Sequence, residues 1–450
     1  MHFADPAFLL AFLPAVWVLF RLAVHVDRSP TLVLLVASAA FYGWERPDHL
    51  LLLAGSIVVN HRLARRLQEG TSRRWLVAGV TGNLLLLGVF KYARFAANSL
   101  GMPVDVPRVV LPLGLSFFTF QQIGFLVDSA RGHAQPVKLR DHALFVAFFP
   151  QLIAGPIVHH SAFHDQLRTP WRDRLSPRHT GMGLALICLG LFKKTVVADR
   201  IAPLIDPLFR ASSTGLIDAW TAALGYTLQL FYDFGGYADL ALGIGLLVGL
   251  QLPPNFDAPY RATTLRAFWR RWHITLGAFL RAYLYVPLGG RRATLNREWA
   301  ALLVTFALGG LWHGAAWTFV WWGLLHGAGM ALDAWLRRRR WALPTALSWT
   351  ATFATVVFGW VLFRSATVAR AMDLWAAMLG GQGLGNTDHL RHLAVLVGLL
   401  MATLALPVSW RWVRTSMDRT PRWSALVCAA AGLAGLLHAT QTVAFVYYRF

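Results

Sequence analysis

Long apolar runs that recur from one end of the chain to the other restrict its fold more than any other feature. They include "AFLLAFLPAVWVLF" (7–20), "WLVAGVTGNLLLLGVF" (75–90) and "LAVLVGLLMATLALP" (393–407). Several approach or reach the roughly 20 apolar residues that a helix needs to cross a bilayer. Only 14% of the 450 residues are charged, against about 25% in soluble proteins. The sequence therefore predicts an all-α polytopic integral membrane protein.

The net charge of +21 would also suit a nucleic-acid-binding protein. The basic residues, however, lie in short groups between the apolar runs, at 62–74, 131–140, 261–292 and 337–340. Such groups are typical of cytoplasmic loops of membrane proteins. Because no soluble basic domain is present to hold a duplex, we favour the membrane interpretation.

Two stretches combine apolar residues with helix-disrupting or charged ones. Residues 148–160 contain Pro150 and Pro156, and residues 228–245 contain the pair Gly235 and Gly236. Proline removes a backbone donor, and bilayer depth tolerates the resulting break only where protein or a cavity covers the backbone. We therefore expect irregular backbone in both stretches.

The stretch "GGLWHGAAWTFVWWGLLHG" (309–327) carries His313 and His326 in a strongly apolar context. An ionisable residue inside the membrane is costly, so it suggests a functional site, although a histidine packed between helices is an equally good explanation. We predict one helix over about 299–325. On that helix the two histidines would point roughly 220° apart, so at most one of them faces a given site.

Residues 263–290 predict a long amphipathic helix, at about 263–285. Arg266, Arg270, His273 and Arg281 fall within one stripe of that helix, and Trp269 lies on the opposite side. Two interpretations remain open. The helix could lie flat at the membrane surface with its arginines toward headgroups, or the stripe could line an aqueous entrance for an anionic substrate.

Several motifs, taken together and in this order, resemble the membrane-bound O-acyltransferases of the bacterial alginate O-acetyltransferase type. They are "LPLGLSFFTFQQIGFLVD" (111–128), "FFPQLIAGPIV" (148–158), "LGLFKKTVVADRIAP" (189–203), "FYDFGGYADLALGIG" (231–245), "FWRRWH" (268–273), "GLWHG" (310–314) and the aromatic ending "FVYYRF" (445–450). The resemblance implies a single membrane domain over 1–450. It further implies about eleven spans of about 20 residues each, with re-entrant and amphipathic helices around a cytoplasmic funnel.

The resemblance also implies which residues act. His313 matches the family's catalytic histidine and His273 its second functional position, whereas His326 matches a further family histidine without a direct chemical role. For substrate binding we predict a set of residues near these motifs: Arg266, Arg270, Arg271, Trp269, Trp312, Gln151 and Asp233. For Asp233, an ion pair with Lys193, Lys194 or Arg200 is equally plausible.

No metal site is predicted. His159, His160 and His164 are close in sequence, but no carboxylate or cysteine pattern completes a metal site around them, and we expect a loop at the membrane surface.

The activity implied is transfer of an acetyl group from cytoplasmic acetyl-coenzyme A, with no bound cofactor. Its destination would be an alginate-like or other exopolysaccharide outside the cell. His313 would serve as general base, since the ordinary pKa of an imidazole lies near neutral. The resemblance further implies a periplasmic SGNH-type acetyltransferase partner and the bacterial inner membrane. Alternatives are acyl or D-alanyl transfer to another envelope polymer, a transporter or flippase, and an export scaffold.

Overall fold

The structure is a computed structural model that describes residues 2–44, 46–70, 73–102, 110–153, 155–290 and 294–439. Within these residues every regular element is helical. Five helical segments are long and apolar enough to cross a membrane: Phe8–His25, Arg73–Ser99, Pro177–Arg210, Thr345–Arg364 and Thr387–Ala405. The prediction of an all-α polytopic membrane protein is confirmed. The basic pair Arg291 and Arg292 and the ending at 445–450 lie outside the described residues.

The chain divides into two compact units by its internal contacts: residues 1–188 with 237–253, and residues 189–236 with 254–450. The first unit contains α1 (Leu13–His25), α2 (Thr31–Gly43), α3 (Asp48–Gln68), α4 (Arg73–Leu87), α5 (Ala93–Ser99), α6 (Leu115–Ala130), α7 (Leu139–Ala147), α8 (Phe149–Leu152), α9 (His160–Arg168), α10 (Trp171–Arg174) and most of α11 (Pro177–Leu191). It also holds the end of α13. The prediction of a single domain over 1–450 stays a prediction.

The second unit contains α12 (Asp199–Arg210), most of α13 (Leu216–Leu247), α14 (Leu265–Trp269), α15 (Ile274–Leu280), α16 (Leu295–His313), α17 (Trp317–Arg338), α18 (Thr345–Arg364), α19 (Val368–Met378), α20 (Leu390–Ala405), α21 (Ser409–Arg419) and α22 (Pro421–His438). Wider π-helical turns occur at Phe8–Phe12, Gly88–Tyr92, Phe192–Ala198 and Arg281–Tyr285, and 3₁₀ turns at Pro259–Arg261 and Thr387–His389.

One of the two expected irregular stretches is confirmed and the other is wrong. Around Pro150 and Pro156 the described residues, which leave out 154, form the short α8 and no further helix before α9. Around Gly235 and Gly236, by contrast, α13 is continuous over 32 residues. Gly236 serves close packing instead, because a Cβ added there would lie 2.7 Å from the carbonyl oxygen of Gly190.

The amphipathic helix predicted over about 263–285 is wrong as one continuous element. The chain forms α14, then a non-helical link, then α15 and a π-helical turn. The link passes through His273, whose backbone is left-handed with φ 41° and ψ 55°. Because the helix is interrupted there, the predicted stripe does not exist: His273 is buried while Arg270 and Arg281 are exposed.

The helix predicted over about 299–325 is likewise two helices. Residues from Gly314 to Ala316 separate α16 from α17, and Gly314 is extended with φ −159° and ψ 148°. The two helices then pack against each other very closely. A Cβ on Gly310 would lie 2.1 Å from the carbonyl oxygen of Phe319, and one on Gly323 would lie 2.1 Å from that of Phe306. Small residues at a helix crossing allow this approach of the backbones.

Candidate active site

His313 occupies the final position of α16, directly before the break that leads into α17. Its side chain is buried, with 4% exposure. Aromatic rings from three helices surround the imidazole: Trp312 at 5.0 Å, Trp322 at 5.2 Å and Phe363 at 5.3 Å between ring centroids. The sequence thus places a titratable ring at a helix end and encloses it in apolar surface.

His273 reaches the same region from the link between α14 and α15, and it is fully buried. The link is held from the side by Asn255. Its backbone carbonyl accepts from the Ile274 amide at 3.0 Å, and its side-chain oxygen accepts from the Thr275 hydroxyl at 2.7 Å. The imidazole contacts the ring of Phe234 at 4.8 Å in an edge-to-face arrangement. Its left-handed backbone directs the ring inward, where a continuous helix would have placed it beside Arg270.

The imidazoles of His273 and His313 lie close to each other. Their ring centroids are 6.4 Å apart, and Trp312 lies 6.3 Å from the His273 ring. They come from the motifs "FWRRWH" and "GLWHG", and the two histidines are 40 positions apart in the sequence. A small group held between the imidazoles would therefore be within reach of both rings, in a buried site surrounded by aromatic side chains.

His326 lies deeper in the same aromatic cluster, on α17. Its ring contacts Trp322 at 5.0 Å and Trp269 at 5.3 Å, and Phe268 stacks over it at 6.2 Å. Neither ring nitrogen has a hydrogen-bond partner among the described residues. His326 therefore packs behind Trp322, on which His313 also rests, and Trp269 belongs to this packing layer.

The predicted arginines do not form one surface. Arg270 is exposed and Arg271 is half-buried. Arg266 is half-buried and faces Asp333 on α17, at 3.7 Å, which Arg337 also approaches at 4.0 Å. A guanidinium that is already beside a carboxylate is less available to a phosphate than an exposed one.

Asp233 is part of a buried ion cluster. The Lys194 ammonium lies 2.7 Å from Asp233 and 2.7 Å from Asp199, and all three side chains are at least nine-tenths buried. Among the alternatives that the sequence left open for Asp233, the ion pair with Lys194 is present. The cluster joins α13, the π-helical turn at Phe192–Ala198 and the start of α12. Removing any one of these three side chains would leave an unpaired charge buried in the protein, which is strongly destabilising.

Gln151 and the neighbouring histidines belong to the first unit. Gln151 is buried on α8, where its amide nitrogen donates to the carbonyl of Phe145. The surface loop predicted for His159, His160 and His164 is wrong for two of the three. His160 and His164 lie on α9 and are buried, because Phe125 stacks on His160 at 4.1 Å and the two imidazoles are 4.0 Å apart.

Sequence reasoning missed the residues that shape the site without reacting in it. Trp322 and Phe363 form walls around His313, Asn255 holds the link at His273, and Asp333 pairs with Arg266. One signal was available for Asp333, which stands four positions before Arg337 at a helical ion-pair spacing. For the other three the sequence contains no local signal, since each acts on a residue far away in the chain.

The fold and this site together define a polytopic helical membrane protein with two buried histidines in an aromatic enclosure. The sequence profile of MBOAT, the membrane-bound O-acyltransferase family, matches residues 81–371. This chain belongs to the membrane-bound O-acyltransferase family, and it is an acyltransferase.

Named relatives are similar over most of the chain. The peptidoglycan O-acetyltransferase of Helicobacter pylori is 38% identical over 424 residues, covering 85% of this chain and 80% of the relative. The probable alginate O-acetylase AlgI of Pseudomonas aeruginosa is 39% identical over 425 residues, covering 90% and 80%. A more distant relative, the teichoic acid D-alanyltransferase of Bacillus subtilis, is 27% identical over 329 residues, covering 68% and 82%.

Proposed function

We propose that this protein transfers acetyl groups from acetyl-coenzyme A in the cytoplasm toward an exopolysaccharide, alginate or a similar polymer, on the other side of the membrane. The observation that carries the proposal is the pair of buried imidazoles, 6.4 Å apart, in a site surrounded by aromatic side chains. Burial matters because a thioester exposed to water beside a base would be hydrolysed. Similarity to O-acetylating relatives over most of the chain supports the same activity.

In the proposed mechanism His313 is the general base. The acceptor hydroxyl gives its proton to His313 as its oxygen attacks the thioester carbonyl carbon. The carbon–sulfur bond then breaks, and the imidazolium of His313 gives the proton to the departing thiolate. The C-terminal end of a helix carries partial negative charge, so the position of His313 at the end of α16 favours the imidazolium formed midway.

His273 has the proposed role of holding the reacting oxygen. Its ring approaches from the opposite element and can donate a hydrogen bond to the acceptor hydroxyl or to the oxyanion that forms on the carbonyl. Arg270, Arg271 and Arg281 are proposed to bind the phosphates of the donor, since Arg270 and Arg281 are exposed and Arg271 is half-exposed. Arg266 would contribute only after leaving Asp333. Trp312 and Trp269 line or back the acyl site.

The remaining parts of the proposal concern the setting. No bound cofactor is required, because the acyl donor is a substrate. A periplasmic SGNH-type acetyltransferase would complete the transfer to the polymer, and the bacterial inner membrane is the location at which cytoplasmic donor and extracellular acceptor meet. Gln151 is proposed to line the path of a substrate, and Asp233 to support the site through Lys194.

A second acceptor, peptidoglycan, is favoured by one specific observation, the 38% identity with the peptidoglycan O-acetyltransferase. The chemistry at His313 would be the same for both polymers, because each offers a sugar hydroxyl. Only the acceptor and the periplasmic partner would differ.

The test uses the full-length protein in proteoliposomes with acetyl-coenzyme A labelled in the acetyl group. We expect His313→Ala to lower donor consumption by about 10²–10⁴-fold, the usual contribution of a general base. His313→Gln, which keeps the size but cannot accept the proton, should be equally inactive. His326→Gln is the matched control for a buried histidine of the same cluster, and it should keep measurable turnover.

Either of two results would contradict the proposal. Normal turnover by folded His313→Ala would exclude the general-base role. Absence of turnover by the wild type, with the periplasmic partner and both polymers supplied, would exclude the acetyl transfer itself. The polymer that receives the label decides between the two acceptors.

A further inference from the structure

A separate cavity lies in the second unit beside α20, away from the histidine pair. α20 is apolar enough to cross the membrane. Of its 16 residues, Leu396 and Leu400 are the ones whose side chains are buried in the protein. Two polar contacts join it to its neighbours near one end: Tyr232 and Thr403 share a hydrogen bond of 2.8 Å, and Arg261 donates to the carbonyl of Leu406 at 2.6 Å. The cavity of about 260 Å³ lies between α20, α13 and the π-helical turn at Phe192–Ala198.

The walls of this cavity are mostly hydrocarbon. Phe192 and Phe231 line one side, and Leu399 and Ala402 line the side formed by α20. Water is a poor occupant of the part of the cavity beside Leu399 and Ala402, because a buried water needs two to four polar partners and these side chains offer none. The medium next to a membrane-spanning helix is lipid. An apolar cavity at this place fits the chain of a lipid, which would supply the dispersion contacts that an empty space lacks.

Two cationic side chains, those of Arg261 and Lys193, line the cavity. Arg261 is exposed, and a guanidinium has five N–H donors, so the bond to Leu406 leaves donors for a further acceptor. Lys193 also lines the cavity and is half-buried. Arginine beside an apolar chain site fits a phosphate ester, which it binds through two parallel charge-assisted hydrogen bonds.

We propose that this cavity binds one anionic phospholipid, with part of an acyl chain against Leu399 and Ala402 and its phosphate at Arg261. The volume is below the roughly 300–1,000 Å³ of sites that enclose a whole small molecule. The rest of the lipid therefore lies in the bilayer along α20. The site is separate from the proposed acyl transfer, and its occupant is not a reactant.

The experiment measures lipid retention directly. Full-length protein in nanodiscs of phosphatidylethanolamine and phosphatidylglycerol is released into a native mass spectrometer, and bound lipids are counted and identified. We expect one retained phosphatidylglycerol per chain. Arg261→Gln should lower its retention about tenfold by removing the charge-assisted bonds, and Ala402→Phe should abolish it by filling the cavity without changing any charge.

Matched controls separate the site from general effects. Arg414→Gln removes one exposed positive charge on α21, and Met401→Phe adds the same ring to an exposed position of α20. Both should retain lipid as the wild type does. Excess inorganic phosphate should not displace the lipid, because the chain contributes to binding.

Three results would overturn the proposal. The first is wild-type protein that carries no lipid, or detergent alone. The second is equal retention of phosphatidylethanolamine and phosphatidylglycerol. The third is folded Ala402→Phe that retains phosphatidylglycerol like the wild type. Displacement by inorganic phosphate would identify an anion site at Arg261 that does not use the cavity.

Discussion

At the scale of the residue, His273 is the unusual feature. A non-glycine residue in the left-handed region costs about 1–2 kcal/mol, and such strain persists only where the surroundings compensate for it. Here Asn255 compensates, since it bonds both to the backbone and to the side chain that follow His273. The left-handed backbone allows the imidazole of His273 to lie beside that of His313, which belongs to a separate element.

Substitutions at His273 can separate its conformation from its chemistry. Asparagine tolerates the left-handed region, whereas a β-branched residue does not. We expect His273→Asn to unfold close to the wild-type temperature and His273→Val to lose roughly 1–2 kcal/mol of stability. His273→Val should lose acetyl transfer, whereas His273→Asn, whose side-chain amide can still donate a hydrogen bond, should retain part of it. Unfolding in detergent, followed by tryptophan fluorescence, and the proteoliposome assay measure the two effects.

Equal stability of the Asn and Val variants would show that the left-handed backbone at this position carries no strain. Full acetyl transfer by either variant would show that the imidazole of His273 is not needed.

At the scale of the element, the crossing of α16 and α17 determines where His313 lies. Gly310 and Gly323 face each other's helix at distances that leave no room for a methyl group. His313 follows Gly310 by less than one turn, so any separation of the two helices moves the imidazole relative to Trp322. Lipid does not drive apolar helices together, and close packing of this kind is what holds them.

We therefore expect Gly310→Ala to destabilise the protein by about 1–3 kcal/mol, the usual cost of overpacking. Acetyl transfer should also fall, because the site is displaced. Gly398→Ala is the matched control: it lies on α20 with nothing within 4 Å of the added methyl group. Alanine is the better helix former by up to about 1 kcal/mol, so this variant should be neutral or slightly more stable.

The same unfolding measurement compares the pair. If Gly310→Ala were as stable as Gly398→Ala, the crossing would not be as tight as the structure describes.

At the scale of the whole molecule, the basic groups and the spans of the second unit together define a direction across the membrane. Arg337 and Arg338 end α17, Arg339 and Arg340 follow them before α18, and α21 carries Arg411, Arg414 and Arg419. We expect both groups to be cytoplasmic by the positive-inside rule. Because α18 and α20 are candidate spans, we expect the segment between them, from Ser365 to Asn386, to lie on the opposite side.

This orientation is testable with single cysteines. In a background with Cys188→Ala and Cys428→Ala, we expect Gln382→Cys to react with a membrane-impermeant maleimide in intact cells with a permeabilised outer envelope. Arg414→Cys should react only after the membrane is lysed. Both positions are exposed, so reactivity reports the side of the membrane. Labelling of both positions on the same side would exclude a crossing by α20.

Sequence alone determined the class of protein and identified the two histidines. Apolar runs of the right length require helices across a bilayer, because backbone groups in lipid must be satisfied within the helix. The resemblance of the motifs around His273 and His313 to those of a known family was sufficient to mark both residues as expected site residues. The lengths of apolar runs and the residues of a motif are readable without coordinates.

Tertiary structure alone decided how these residues come together. The sequence predicted continuous helices through His273 and His313, and both helices break there. The break at His273 depends on Asn255, and the enclosure of His313 depends on Trp322 and Phe363 from two other helices. The same holds for Asp233, whose partner among several cations is chosen by the packing of α13. Contacts between residues distant in sequence leave no periodic pattern, and helical periodicity describes only one element at a time.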